Sequence, residues 1–237
     1  MPLRIRRLRR SELPTGTIDL ARFLIGKVVV HDLPSGRLSG RIVETEAYPP
    51  GDPAGHHFRG PTPRIRSMYL APGHAYIFFN YGAHFMLNVS GEPEGTAGGI
   101  LIRAVEPLEG LEHMKKHRNV ERLLNLTRGP GRLAAAFQID RAHDGLDLCG
   151  DKPLWLGALA PRKSSSGTAA AETAIAETVR IGITRATDHP LRFYEPGNPF
   201  VSGPKRLLLV NRQPPAPKQS RHPARRNKSL ARNNSAK

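Results

Sequence analysis

The strongest constraint on the fold of this chain is that its β-rich runs come in pairs around short turn sequences. Residues 27–33 (KVVVHDL) and 37–48 (RLSGRIVETEAY) are separated by Pro34, Ser35 and Gly36, the signature of a hairpin. Residues 75–79 and 84–89 flank Asn80-Tyr81-Gly82-Ala83, where Gly82 can take the positive φ that a tight turn often needs. The apolar run 98–107 (GGILIRAVEP) fits a buried strand, and residues 180–184 (RIGIT) and 191–195 (LRFYE) read as short late strands. Helical patterns are brief: residues 17–25, 109–118, and 132–139 behind Gly129-Pro130-Gly131. Strands that arrive in hairpins, without long helices between them, argue against a doubly wound parallel sheet. One mixed α+β domain is expected, with strands dominating its first half.

Composition sets the ends apart from the middle. The 237-residue chain carries a formal charge of +16, but no acidic residue follows Glu195 while ten Lys and Arg do, so residues 1–195 hold only +6. Such a balance fits a polyanionic partner. We read residues 1–14 as a basic arm, 15–203 as the domain, 161–178 as a low-complexity, mobile insertion and 204–237 as a disordered basic tail. Cys149 is the only cysteine, which excludes an internal disulfide and Cys-based zinc or iron–sulfur sites and suits a reducing cytoplasm. No apolar run is long enough for a membrane helix, and nothing in the pattern demands more than a monomer.

The chemistry-bearing residues crowd between Arg41 and Arg103. Strict alternation along 41–48 puts Ile42, Glu44 and Glu46 on one face and Val43, Thr45 and Ala47 on the other. Glu46 then ends the strand as either an exposed surface carboxylate or a half-buried acid at a cleft, with Tyr48 two residues on. The chain leaves the sheet at Pro49-Pro50-Gly51, and the loop that follows carries Asp52, His56 and His57; loops at strand ends commonly carry sites. Adjacent histidines do not easily ligate one ion, and no HExxH or cysteine partner accompanies them, so no metal is expected. His56 is either an ordinary loop residue or a ring that stacks on a base. Arg64 and Arg66, in a basic turn, are either solvated charges or phosphate contacts. Arg103 interrupts an apolar strand and must be paired, snorkelled or functional; Glu106 or Glu44 could pair it. Tyr81 puts an aromatic ring at a hairpin tip, where a wedge can unstack bases from the minor groove or a ring can fold back onto its own strands.

The ordered blocks ARFLIGKVVV, GRIVETEAY, DPAGHH, TPR, PGHAYIFFNYG, FMLNV, ILIRAVEPLEG, GPGRL, LRFY and NPFVS together resemble one family. It is the alkyladenine (3-methyladenine) DNA glycosylases, of the mammalian alkyladenine glycosylase type, from about Leu20 to Ser202. The resemblance implies a single compact domain on a curved, mainly antiparallel sheet with surrounding helices. It implies excision of alkylated or deaminated purines from double-stranded DNA, without a cofactor. Glu46 matches the water-activating base, and Arg103 an arginine beside the catalytic water and the lesion-side backbone. Tyr48 and His56 match the residues that hold the flipped base, Asn88 one on the pocket floor, and Tyr81 the intercalating tyrosine. Where relatives often have Asn after Thr-Pro-Arg, this chain has Ile65, which puts one polar contact in question. No lysine lies in the motif cluster to form a Schiff base, so a monofunctional enzyme is expected. A nonenzymatic nucleic-acid binder and a basic RNA-associated protein are the competing readings, and the sequence does not rank the damaged bases.

Overall fold

The structure, a computed structural model, describes residues 3–80, 82–160 and 174–208. Its centre is the antiparallel hairpin of β2 (Val28–Leu33) and β3 (Gly36–Tyr48). Residues β1 (Ile5–Arg7), β4 (Ala75–Asn80), β5 (His84–Ser90), β6 (Gly99–Glu109) and β7 (Leu154–Leu159) extend the sheet in the order β1-β7-β2-β3-β6-β5-β4. Two short strands, β8 (Ala176–Thr178) and β9 (Arg192–Tyr194), lie off this path. All the pairings are antiparallel and the sheet is not closed into a barrel.

Three short helices cover one face. In α1 (Thr17–Leu24), Leu20, Ala21 and Leu24 are fully buried at helical spacing; burying one such leucine contributes about 1.5–3 kcal/mol. The backbone N–H and hydroxyl of Thr17 both donate to Glu92, tying the start of the helix to the strand connection. In α2 (Leu111–Arg118) Met114 is the buried residue, and Asn119 ends the helix in the left-handed region. In α3 (Pro130–Ala136), proline stands in the first turn, where its missing N–H costs nothing, and Leu133, Ala134 and Ala136 face the core. These helices and the sheet share one large apolar cluster that includes Ile42, Ala47, Ile100, Ile102, Val105 and Phe137.

The second half of β3 builds the site. β6 pairs with it as far as Tyr48, while on the other edge β2 gives way to β9, with Glu44 opposite Tyr194 and Glu46 opposite Arg192. The β3–β6 register is irregular here. Ile42 faces Val105, Glu44 faces Ala104 and Thr45 faces Ile102, so Val43 and Arg103 are each an extra residue on their strand. Such bulges re-aim side chains. Ile42 and Ala47 stay in the main core, and the Thr45 hydroxyl donates to the Ala21 carbonyl of α1. Val43 and Ala104 join a smaller cluster with Tyr194, Phe200 and Val201. Strict alternation therefore fails: Ile42 does not share a face with Glu44 and Glu46.

Other expectations need correction. Residues 180–184 are bends and irregular backbone rather than a strand, whereas β8 falls inside the stretch read as an insertion. Residues 161–173 lie outside the described residues. The expected arm is part of the sheet from Ile5, with Leu8 and Leu13 in the core. Of the stretch 204–237 expected as a tail, residues 204–208 are described and pack on the domain, the Leu207 carbonyl accepting from buried Arg192. Residues 209–237 lie outside the description.

Candidate active site

The β3–β6 bulges and the arrival of β9 bring four charged side chains together out of water. Glu44 and Glu46 are completely buried, as is Arg192, and Arg103 is 7% exposed. The Glu44 carboxylate accepts from Arg103 Nε at 3.0 Å, from Arg192 Nε at 2.6 Å and from the backbone N–H of Ser202 at 2.6 Å. Glu46 accepts from the Tyr48 hydroxyl at 2.8 Å and from the backbone N–H of Ile181 at 2.8 Å, and pairs with Arg103 Nη1 at 3.1 Å. Arg103 is thus shared between two carboxylates, while Glu106 pairs with Arg41 instead. Burial works against the Arg103 charge, but Glu46 and Glu44 outweigh it and raise its pKa further. Burial, together with the neighbouring Glu46 charge, pushes the Tyr48 phenol well above its ordinary value, so it remains a donor to Glu46. Buried charges in such an array need every partner, and the two carboxylates and two arginines balance.

This cluster backs onto a cavity of about 670 Å³, a size suited to a small organic ligand. Tyr48, Arg103 and Ile181, all partners of Glu46, lie in its wall, with His56, Tyr76, Phe78, Asn88 and Leu101 around the rest. Glu46 itself stands behind this wall. The His56 ring contacts the Tyr76 hydroxyl at 3.0 Å and lies 4.0 Å from the Phe78 ring, centroid to centroid. Burial of its inner side, aided by the Arg64 charge, lowers the His56 pKa, which favours the neutral ring at pH 7. Asn88 donates to the carbonyls of Tyr76 and Met86 at 3.1 and 3.3 Å, which leaves Oδ1 as its remaining polar atom.

The basic turn is a one-sided 3-10 helix, Pro63–Tyr69. Arg64 is exposed, donates to the Phe79 carbonyl at 3.0 Å and lies 4.7 Å over the Phe78 ring. Arg66 is exposed as well. Ile65, between them, is buried with Met68, Tyr76 and Ala97, so its apolar side chain serves packing under the cavity. Gly82 has φ of 63°, as the turn required; Tyr81 lies outside the described residues. Among the described residues, no group of three or more His, Cys, Asp or Glu could hold a metal. Burial pushes the Cys149 thiol up to about 11, away from thiolate chemistry.

Several residues here escaped the sequence reading. From the sequence, Glu44 is a possible partner of Arg103 and a neighbour of Glu46 on the strand, while Ser202 and Arg192 have no expected part in the site. Arg192 did carry a usable signal, a cation within the apolar run LRFY, the same one that drew notice to Arg103. The Ile181 N–H had none, because its role depends on a bend that alternation disguised as a strand.

A buried acid behind a cavity lined by aromatic rings, in an antiparallel sheet, suits a hydrolase that takes a flat, ring-bearing substrate. The model of the methylpurine-DNA glycosylase family matches residues 12–199, and the chain belongs to that family, whose members are hydrolases of N-glycosyl bonds in DNA. It is 58% identical to a protein of Mesorhizobium japonicum over 84% of this chain and 91% of that one. It is 51% identical to a protein of Paraburkholderia phytofirmans over 90% and 95%, and 43% identical to one of Salinibacter ruber over 78% and 91%. All three are provisionally named 3-methyladenine DNA glycosylase.

Proposed function

We propose that the protein is a monofunctional glycosylase that accepts an alkylated or deaminated purine, such as 3-methyladenine, flipped out of duplex DNA. The observation that carries this reading is the Glu46 carboxylate, buried behind Tyr48, Arg103 and Ile181 at the wall of the cavity. A pure binder has little use for a buried carboxylate beside a phosphate backbone. The relatives' names and the resemblance to the mammalian type support the choice of substrate.

Alkylation at N3 or N7 makes the purine cationic, so it departs readily and the enzyme has little need of a strong acid. Glu46 takes a proton from a water whose oxygen forms the bond to C1′. The C1′–N bond breaks, and its electron pair neutralises the purine. The carboxylate also stabilises the positive charge that develops on the sugar. Arg103, committed to both carboxylates, holds Glu46 in place and sets the charge around the reacting centre. Tyr48 and His56 bracket the base; electron-rich rings stack well on a cation. Asn88 sits at the floor. Tyr81 serves as the wedge that fills the vacated stack, and Arg64 and Arg66 hold phosphates. Extrusion costs a few kcal/mol, least at damaged or mispaired sites.

Base release from a 3-methyladenine or hypoxanthine duplex by the wild type and by Glu46→Gln tests the reading. Assayed well below its unfolding midpoint, which the loss of one carboxylate from the buried array lowers, the variant should keep duplex affinity and lose about 10²–10⁴-fold in rate. Near wild-type release by Glu46→Gln refutes the assignment. Covalent trapping of the abasic product with borohydride would refute monofunctional action.

A further inference from the structure

The proposed mechanism leaves one buried ion pair unused. Asp52 and Arg180 lie 128 residues apart in sequence, and their side chains are 1% and 0% exposed. Arg180 grips Asp52 with both terminal nitrogens: Nη2 donates to Oδ1 at 3.1 Å and Nη1 to Oδ2. The same Nη1 donates to the carbonyl of Ala47, at the end of β3, at 2.9 Å. The guanidinium lies 4.7 Å over the Tyr48 ring. The next residue, Ile181, supplies the backbone N–H that donates to Glu46.

One arginine therefore fixes three parts of the site. Through Asp52 it anchors the loop that turns into His56; the Asp52 carboxylate caps that turn by accepting from the Ala54 N–H at 3.0 Å. Through Ala47 and Tyr48 it holds the end of the strand that carries Glu46. Through its own backbone it sets the segment 181–185, whose residues line the cavity together with those of that loop. A bidentate fork has the fixed geometry for the task, which a lysine lacks.

We propose that Arg180, locked by Asp52, is a positioning residue for base release: it sets the distance between the base-holding ring of His56, the ring of Tyr48 and the carboxylate of Glu46. It touches no substrate. This inference rests on the glycosylase reading, and wild-type base release from an alkylated duplex checks that reading first.

Arg180→Lys and Asp52→Asn should then be measured in the full chain, at a temperature well under each variant's unfolding midpoint. The readouts are single-turnover base release, duplex affinity and the unfolding midpoint. Base release should fall by about 100-fold in both, the cost of a misplacement near 1 Å, while affinity for the lesion duplex stays within about twofold of wild type. A wild type that releases base alongside a variant that does so equally fast overturns the proposal. So does a loss of duplex affinity as large as the loss of rate. If both variants lose activity only because neither retains a folded baseline, the pair serves the fold alone and the proposal fails too.

Discussion

The two walls of the cavity are built on opposite principles. The inner wall, where Arg103 lines the cavity, is backed by a buried array of Glu44, Glu46, Arg103 and Arg192, in which the carboxylates collect their partners from β6, β9 and two backbone N–H groups. The outer wall is a set of rings, His56, Phe58 and Phe78, several of them open to solvent, with Arg64 lying over the Phe78 ring. A buried array tolerates no missing member, because the remaining charge is stranded. An exposed ring can be removed with little loss to the fold. The comparison teaches that the proposed reacting group is held by the fold's stability, while recognition is held by surface that the fold can spare.

Substitutions can break or sharpen that contrast. Glu44→Gln should have the largest effect, leaving Arg192 without a carboxylate partner and Arg103 with Glu46 alone, at a cost of about 3–5 kcal/mol; the denaturant midpoint should drop sharply. A midpoint within error of wild type would erase the distinction between the walls. His56→Ala should leave the midpoint nearly unchanged and weaken affinity for a lesion duplex by about 1–3 kcal/mol, the worth of one stacked base. If stability falls instead, the outer wall is structural too. Removing residues 209–237, which hold eight of the ten late Lys and Arg, should flatten the dependence of duplex affinity on salt, since each phosphate neutralised contributes about 0.9 to the slope. An unchanged slope makes that segment a bystander.

The smallest effect concerns a histidine far from both walls. His31 is buried, contacts the Phe137 carbonyl at 2.7 Å and meets His143 ring nitrogen to ring nitrogen at 3.3 Å. Burial lowers its pKa and so does His143; the Phe137 carbonyl, and more weakly Asp32 and Asp140, oppose this. A lowered folded-state value means that the folded chain prefers the neutral ring. Its contribution is present above the unfolded value of about 6.5 and is lost as pH falls below that toward the folded value. Denaturant midpoints at pH 7.5 and 5.5 should therefore diverge less in His31→Asn than in wild type. Equal divergence would remove His31 from the account.

How much of this was legible depended on whether a residue's partner was near in sequence. The hairpins of β2 with β3 and β4 with β5 were readable because turn and alternation sit side by side. Arg103 was suspicious because a cation in ILIRAV needs an explanation. The bulges at Val43 and Arg103 were not readable, since one extra residue on each strand leaves the alternation locally intact while shifting its phase. The pairing of β1 with β7 joins residues about 150 apart, and no local pattern reports it. Arg180 was hidden by a run that alternates like a strand, although its side chain is committed to Asp52 and Ala47. The roles proposed for Glu46, Tyr48 and His56 rest on the ordered family blocks, and geometry supplied their neighbours.

The change-over on the edge of β3, from β2 to β9, also sets an order of events. Glu44 takes its second arginine from Arg192 and a backbone N–H from Ser202, 148 and 158 residues further along the chain. Closing so long a loop is a late and entropically costly step. A growing chain thus completes β2, β3 and β6 while Glu44 still lacks two of its three donors. The acid cluster is among the last parts of the molecule to close, so a product cut short before β9 would carry a stranded charge at its centre rather than a working site.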